Sequence, residues 1–268
     1  MKVLSRFYIG LILFFLYAPV AVMIFFSFNA ANSVWVFDGF SFDWYLGLIS
    51  DSTMLGALKH TLIIAVLSAV ISTVLGTAAA VGIMALRSKI ANRLVMATTN
   101  IPMMNADIVT GISLMFLFVF VGKLFGFSES LGFITVLIAH ITFNLPYVIL
   151  SVLPKLKQTD ANLLEAALDL GCTPVKAFFK VVLPSISTGI ATGMIMAFTL
   201  SLDDFVISYF TCGDYQTLPI IIYDMTKKSV TPDTYALSTI IFITIFVLLI
   251  LYNTVSTKAE NKSAKRRV

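Results

Sequence analysis

Six stretches of this chain are long and apolar enough to cross a bilayer, at about residues 7–28, 61–86, 94–121, 132–153, 186–210 and 236–256. A hydrocarbon core is crossed by about 20 apolar residues of helix. Helices of that length with no charged face are hard to keep in water. Composition agrees, with 59% hydrophobic and only 12% charged residues, against roughly 25% charge in a soluble domain. The expected fold is an all-α membrane protein, one transmembrane domain of six helices over residues 1–256. Residues 257–268 form a basic tail.

The first stretch imitates a signal peptide, with Lys2 and Arg6 before the apolar run and small residues at Ala30 and Ala31. Its length of about 20 residues exceeds the 7–15 of a cleaved apolar region, so a retained span is expected. Orientation follows from the basic residues, because cytoplasmic loops carry the excess of Lys and Arg. With the N-terminus inside, Lys2, Arg6, Arg87, Lys89, Arg93, Lys155, Lys157, Lys176, Lys180, Lys258, Lys262, Lys265, Arg266 and Arg267 are cytoplasmic. Only Lys59, Lys123, Lys227 and Lys228 fall outside. Both termini are therefore expected in the cytoplasm. The net charge of +4 is a topology signal and needs no nucleic-acid partner. Cys172 and Cys212 fall on opposite sides and cannot pair within one chain, and two cysteines make no disulfide scaffold.

One loop differs from the rest. Residues 154–184, between the fourth and fifth stretches, read as two short helices. Thr159 or Asp160 can cap a helix whose Leu163, Leu164, Ala167, Leu168 and Leu170 form an apolar stripe. Gly171 can end it by taking positive φ. Thr173 then caps, and Pro174 occupies the first helical position, where its missing N–H costs nothing. Such a helix could lie on the bilayer surface, with Lys176 and Lys180 towards anionic lipid, or dock on a soluble partner.

The run EAALDLGCTPVKAFFKVVLP, Glu165 to Pro184, resembles the signature of permease subunits of ABC importers: Glu-Ala-Ala, three residues, Gly, nine residues, an aliphatic residue, one more, Leu-Pro. Val181 stands where that family usually has Ile. The resemblance implies the type I ABC permease fold, with Glu165, Ala166, Ala167 and Gly171 as the coupling helix and its turn against an ATPase subunit. The chain carries no G-x-x-x-x-G-K-[ST] run, and Gly122–Lys123 lacks the upstream glycine. No H-E-x-x-H or G-x-S-x-G occurs. ATP and Mg are therefore expected on a partner subunit, with no cofactor, metal site or catalytic residue in this chain.

Polar residues recur at helical spacing in three stretches and point to a shared cavity: Ser201, Asp204, Ser208 and Thr211; Asn100, Asp107 and Thr110; and His140, Asn144, Tyr147 and Ser151. Asp107, Asp203, Asp204, Asn144, Tyr147, Ser201 and Ser208 are the candidates to line a substrate path. Ser and Thr stripes commonly hold helices together, as a pair such as Gly189 and Gly193 does. His140 alone reads more readily as an interhelical hydrogen-bonding residue than as a ligand. Aspartates weigh more, each costing roughly 2.5–3.5 kcal/mol at the bilayer centre. Asp107, Asp203 and Asp204 have no Lys or Arg beside them within a span, which favours a cationic solute over an anionic one. Of the adjacent pair, Asp204 shares the polar face with Ser201 and Ser208 and is expected to face the solute. Asp203, about 100° around the helix, is expected to bond a neighbouring helix.

Within ABC permeases the chain resembles the spermidine/putrescine type, in YAPV (17–20), SFN (27–29), FDGFSFDWY (37–45), HITFNLPYV (140–148), LEAALDLG (164–171) and FTLSLDD (198–204). The last two, with Ala236-Leu237-Ser238-Thr239, resemble the second of that type's two permease subunits. This implies polyamine import across a bacterial cytoplasmic membrane by alternating access. It also implies a second permease subunit, two ATP-binding subunits and an extracytoplasmic polyamine-binding protein as partners. Asp43, Trp44, Tyr45, Asp214 and Tyr215, in the outer loops 29–60 and 211–235, are candidate contacts for that protein, or ordinary loop surface. Competing readings are a related permease for thiamine or ferric iron, an ATP-independent cation transporter or channel, and an intramembrane hydrolase with Asp107 and Asp204 as a dyad.

Overall fold

Long apolar runs without charge leave the backbone one way to satisfy its polar groups in lipid, which is helix. The computed structural model describes residues 2–31, 36–86, 88–127, 130–160, 162–228 and 232–265, with side chains from Arg6 to Val247 within those ranges, except Lys228, and at Ile250. Among them the only β pairing is an isolated antiparallel bridge between Asn29 and Phe40. The chain falls into two compact units, Met1–Leu58 with Leu218–Tyr252, and Lys59–Thr217 with Asn253–Val268.

The first unit holds α1 (Lys2–Phe26), α2 (Asp43–Ser50), the start of α3 (Ser52–Ala85), α12 (Leu218–Lys228) and most of α13 (Pro232–Lys265). Its core is Leu48, Met54, Ala57, Leu218, Ala236 and Leu237. The loop after α1 is built around the buried Asn29. The Asn29 Nδ2 donates to the Val36 carbonyl at 2.7 Å, and its Oδ1 accepts from the Ala31 and Asp38 N–H groups.

The second unit holds the rest of α3, then α4 (Lys89–Met104), α5 (Asp107–Phe125), α6 (Phe133–Gln158), α7 (Asn162–Asp169), α8 (Pro174–Ala177), a π-helical turn (Phe178–Val182), α9 (Leu183–Ser185), α10 (Ser187–Asp203) and α11 (Val206–Thr211). α6 is the centre of this unit. Its Val148 is fully buried between α3 and α10. A Cβ added to Gly76 of α3 would lie 2.7 Å from Val148 Cγ1, and one on Gly193 of α10 would lie 3.2 Å from the Val148 Cα. Glycine is needed at both positions because backbones approach closely there.

Four helices are long and apolar enough to span: Arg6–Phe26 within α1, then α3, α5 and α6. A fifth candidate is a bent pair, Pro174–Ser185 and Ser187–Asp203, meeting at 69°. The backbone of α13 covers the expected sixth stretch, and its described apolar part is Pro232–Val247. The side chains of 251–256 and of the basic tail lie outside the described residues, as does Arg87.

Two expected spans are corrected. The third, 94–121, is two helices, because Asn105 and Ala106 are extended with ψ of 149° and 134°. The apolar helix able to cross is Asp107–Phe125. The fifth, 186–210, stops at Asp203 and resumes at Val206. Neither break contains glycine or proline, and at the second the Asp204 side chain caps the helix that follows.

Candidate functional site

The loop between α6 and α10 is organised by local chemistry. Asp160 Oδ1 accepts the Asn162 N–H at 2.9 Å and opens α7, so Asp160 is the side chain that caps, while Thr159 ends α6. Gly171 closes α7 at φ +82°. There the Gly171 N–H reaches the Leu168 carbonyl and the Cys172 N–H the Ala167 carbonyl, at 2.9 and 3.1 Å. Thr173 Oγ1 accepts the Lys176 N–H, and Pro174 opens α8.

Glu165 and Ala166 are exposed and Ala167 is buried. Leu170 is 86% exposed and leaves the expected apolar stripe, since the helix has already ended. Leu163 and Leu164 line an apolar concavity of about 260 Å³ with Val81, Met84, Leu156 and Phe178. α7 therefore sits over the ends of α3 and α6, with the acidic side chain Glu165 outward.

The second constellation lies at the break in span five. The Asp204 side chain is 8% exposed. Its Oδ2 accepts the Ser208 N–H at 2.8 Å, and its Oδ1 faces the Ile207 N–H at 3.4 Å, capping α11. His140 of α6 reaches across: Nδ1 bonds Ser201 Oγ, and Nε2 lies 2.9 Å from Ser208 Oγ and 3.4 Å from Asp204 Oδ2. Ser68 of α3 donates to Ser201 Oγ at 3.0 Å and accepts from Asn144 Nδ2 at 3.4 Å.

The adjacent aspartates are unequal in the opposite sense to that expected from sequence. Asp204 is enclosed and partnered, whereas Asp203, the last residue of α10, is exposed. Helical phase places Asp204 with Ser201 and Ser208, as found, but that face is enclosed by His140 of α6 rather than open to a solute. Asp107 is also exposed, at the first turn of α5, where the helix dipole favours an anion. Asn100 lies on α4 and is not continuous with it. Tyr147 is half-buried, its ring 5.5 Å from that of Phe143.

The structure thus gathers Ser201, Ser208, Asn144 and Asp204 into one cluster and leaves Asp107, Asp203 and Tyr147 out of it. His140 was visible in sequence through its spacing with Asn144. Ser68 carried no signal, being one hydroxyl in an apolar run.

The loop candidates divide similarly. Trp44 Nε1 donates to the Asn29 carbonyl at 2.8 Å, and the Tyr45 hydroxyl lies 2.6 Å from Ser27 Oγ. Tyr215 stacks on His60 at 3.9 Å between centroids, and burial pushes its phenol pKa up. Asp43 and Asp214 are exposed. Among the described residues no cluster of His, Cys, Asp and Glu could hold a metal.

Residues 72–259 match the model of the family described as the binding-protein-dependent transport system inner membrane component. The chain belongs to this family. It is 38% identical over 229 residues to the putrescine transport system permease protein PotI of Escherichia coli K12, covering 85% of this chain and 81% of that one. Identity is 38% over 237 residues to the spermidine/putrescine transport system permease protein PotC of the same strain, covering 88% and 87%. PotC of Haemophilus influenzae is 36% identical over 245 residues, covering 91% and 93%.

A bacterial ABC transporter involved in import of the acidic polysaccharide alginate superposes with a TM-score of 0.75 at 15% identity, over 96% of this chain and 95% of that one. An amino acid ABC transporter gives 0.53 at 18%, over 81% and 95%. These show the ABC importer permease fold. The permease is a multi-pass membrane component of a transport system rather than a catalytic subunit.

Proposed function

We propose that this permease carries polyamines, spermidine or putrescine, inward across the bacterial cytoplasmic membrane, powered by ATP hydrolysed on a separate subunit. The observation that carries the reading is the 38% identity to PotC over 88% of the chain. The acidic inventory supports it independently. Asp107 and Asp203 are exposed carboxylates at the ends of apolar helices, and a flexible polycation is the solute such groups suit.

Both termini lie in the cytoplasm, by the basic-residue bias. α7 and its Gly171 turn then face the cytoplasm, where Glu165, Ala166 and Ala167 dock on one of two ATP-binding subunits that hold ATP and Mg. A second permease subunit completes the pathway, and an extracytoplasmic polyamine-binding protein delivers the solute to loops carrying Asp43 and Asp214. Closure of the ATPase pair moves α7, and the helices above it rock to alternate access. Moderate affinity inside is what release requires, and two exposed carboxylates with flanking polar groups fit that.

Proteoliposomes holding the full complex are expected to take up labelled putrescine or spermidine only when ATP and the binding protein are present. Uptake by this polypeptide alone, driven by an ion gradient, would overturn the ATP-driven reading. ATP-dependent uptake of another cation, with none of polyamines, would overturn the substrate.

A further inference from the structure

Span five is interrupted by two residues, Asp204 and Phe205, yet no proline or glycine sits at the break. One imidazole bridges the two pieces. His140 contacts Ser201 before the break, Asp204 within it and Ser208 after it. His140 is 2% exposed, while Ser201 is 2% and Ser208 0% exposed, so water supplies no substitute.

The direction at Nε2 follows from the carboxylate. An ionised carboxylate only accepts, so His140 Nε2 must carry the hydrogen that faces Asp204 and Ser208. His140 Nδ1 bonds Ser201 Oγ. Ser201 also accepts from Ser68, and Ser68 accepts from Asn144 Nδ2. The result is one connected chain, Asn144 to Ser68 to Ser201 to His140 to Asp204, joining α3, α6, α10 and the start of α11. Linked hydrogen bonds reinforce one another in a medium of low dielectric. Asn144 Oδ1, at the head of the chain, has no partner among the described residues.

We propose that His140, through the contacts of its two ring nitrogens, is the positioning residue that fixes Asp204 as the cap of α11 and keeps span five in two pieces. One of two adjacent carboxylates is thereby committed to structure, and Asp203 is left as the outward one. Without His140, Asp204 loses its side-chain anchor on α6, and α11 loses the cap that defines its first turn.

The test is hydrogen exchange over residues 204–211 in the assembled complex, a readout that does not depend on the substrate. The amides of α11 are expected to exchange about tenfold faster in His140→Ala, an amount that corresponds to one lost hydrogen bond of ordinary worth. Asp204→Ala should give a similar rise, and the double variant no more than either single one, as expected for residues acting as a unit. His140→Gln should keep protection within about threefold of the wild type, because its amide nitrogen can donate to Asp204 while its oxygen accepts from a serine hydroxyl.

Unchanged exchange in His140→Ala, or additive effects in the double variant, overturns the proposal. If His140→Ala does not assemble, His140→Gln decides: retained protection supports the assignment and lost protection overturns it. The uptake assay, run in parallel, rests on the reading of the chain as a polyamine permease. Absence of polyamine uptake by the wild type bears on that reading alone and leaves the exchange result standing.

Discussion

Asp203 and Asp204 are neighbours in sequence with opposite surroundings, which makes them separable by substitution. Asp203 is exposed, so Asp203→Asn removes a charge and no internal contact. Polyamine uptake is expected to fall several-fold in that variant, while the thermal midpoint of the purified complex stays put. Asp204→Ala removes the cap of α11, worth about 1 kcal/mol, and strands the Ser208 N–H and His140 as buried donors, at about 1–3 kcal/mol for each group left unmet. The midpoint should drop together with uptake. A complex as stable with Asp204→Ala as without it would remove the structural assignment of that carboxylate. Only the exposed partner then remains to meet a cation, and Asp107 at the head of α5 joins it as the second such group.

The elements divide by what ends them. α7 ends at Gly171, whose φ of +82° no proline can adopt, since its ring fixes φ near −65°. Gly171→Pro, or Glu165→Lys on the outward face, should leave the permease in the membrane and abolish substrate-stimulated ATP hydrolysis. Normal stimulation in both variants would contradict the coupling role. This loop was legible in sequence because every signal in it is local: Asp160, Gly171, Thr173 and Pro174 act on backbone groups close by in the chain. The breaks at Asn105–Ala106 and Asp204–Phe205 were not, because apolar periodicity continues through them. The second is bridged by His140, some sixty positions earlier in the chain. Periodicity therefore located the apolar segments and the polar residues of the site. It grouped Asp204 with Ser201 and Ser208 correctly but took their face as open to a solute, because spacing along one helix does not show that His140 of another covers it.

At the scale of the molecule, burial is uneven among the spans. Of the most apolar windows, 56% of that in α6 and 44% of that in α3 is buried, against 11% in α5 and none in α1. α4 buries no residue at all, although Ile90, Leu94 and Ile101 are apolar and at least 60% exposed. Lipid can cover helices such as α1 and α5. An amphipathic helix like α4, whose internal packing is limited to partly buried residues such as Met96, instead draws its stability from whatever covers its apolar face, because propensity alone leaves short helices marginal. The proposed second permease subunit is the candidate for that cover, and partner binding to the folded state raises apparent stability by mass action. The chain purified alone in detergent is expected to unfold at a lower temperature than the same chain paired with its partner permease. Each kcal/mol of coupling should raise the midpoint by about 2–4 °C for a chain of this size. A single substitution locates the effect: Leu94→Asp on α4 should cancel most of the increment in the pair and leave the isolated chain unchanged. Equal midpoints for the single and paired chain would show that α4 is stabilised by lipid or detergent alone.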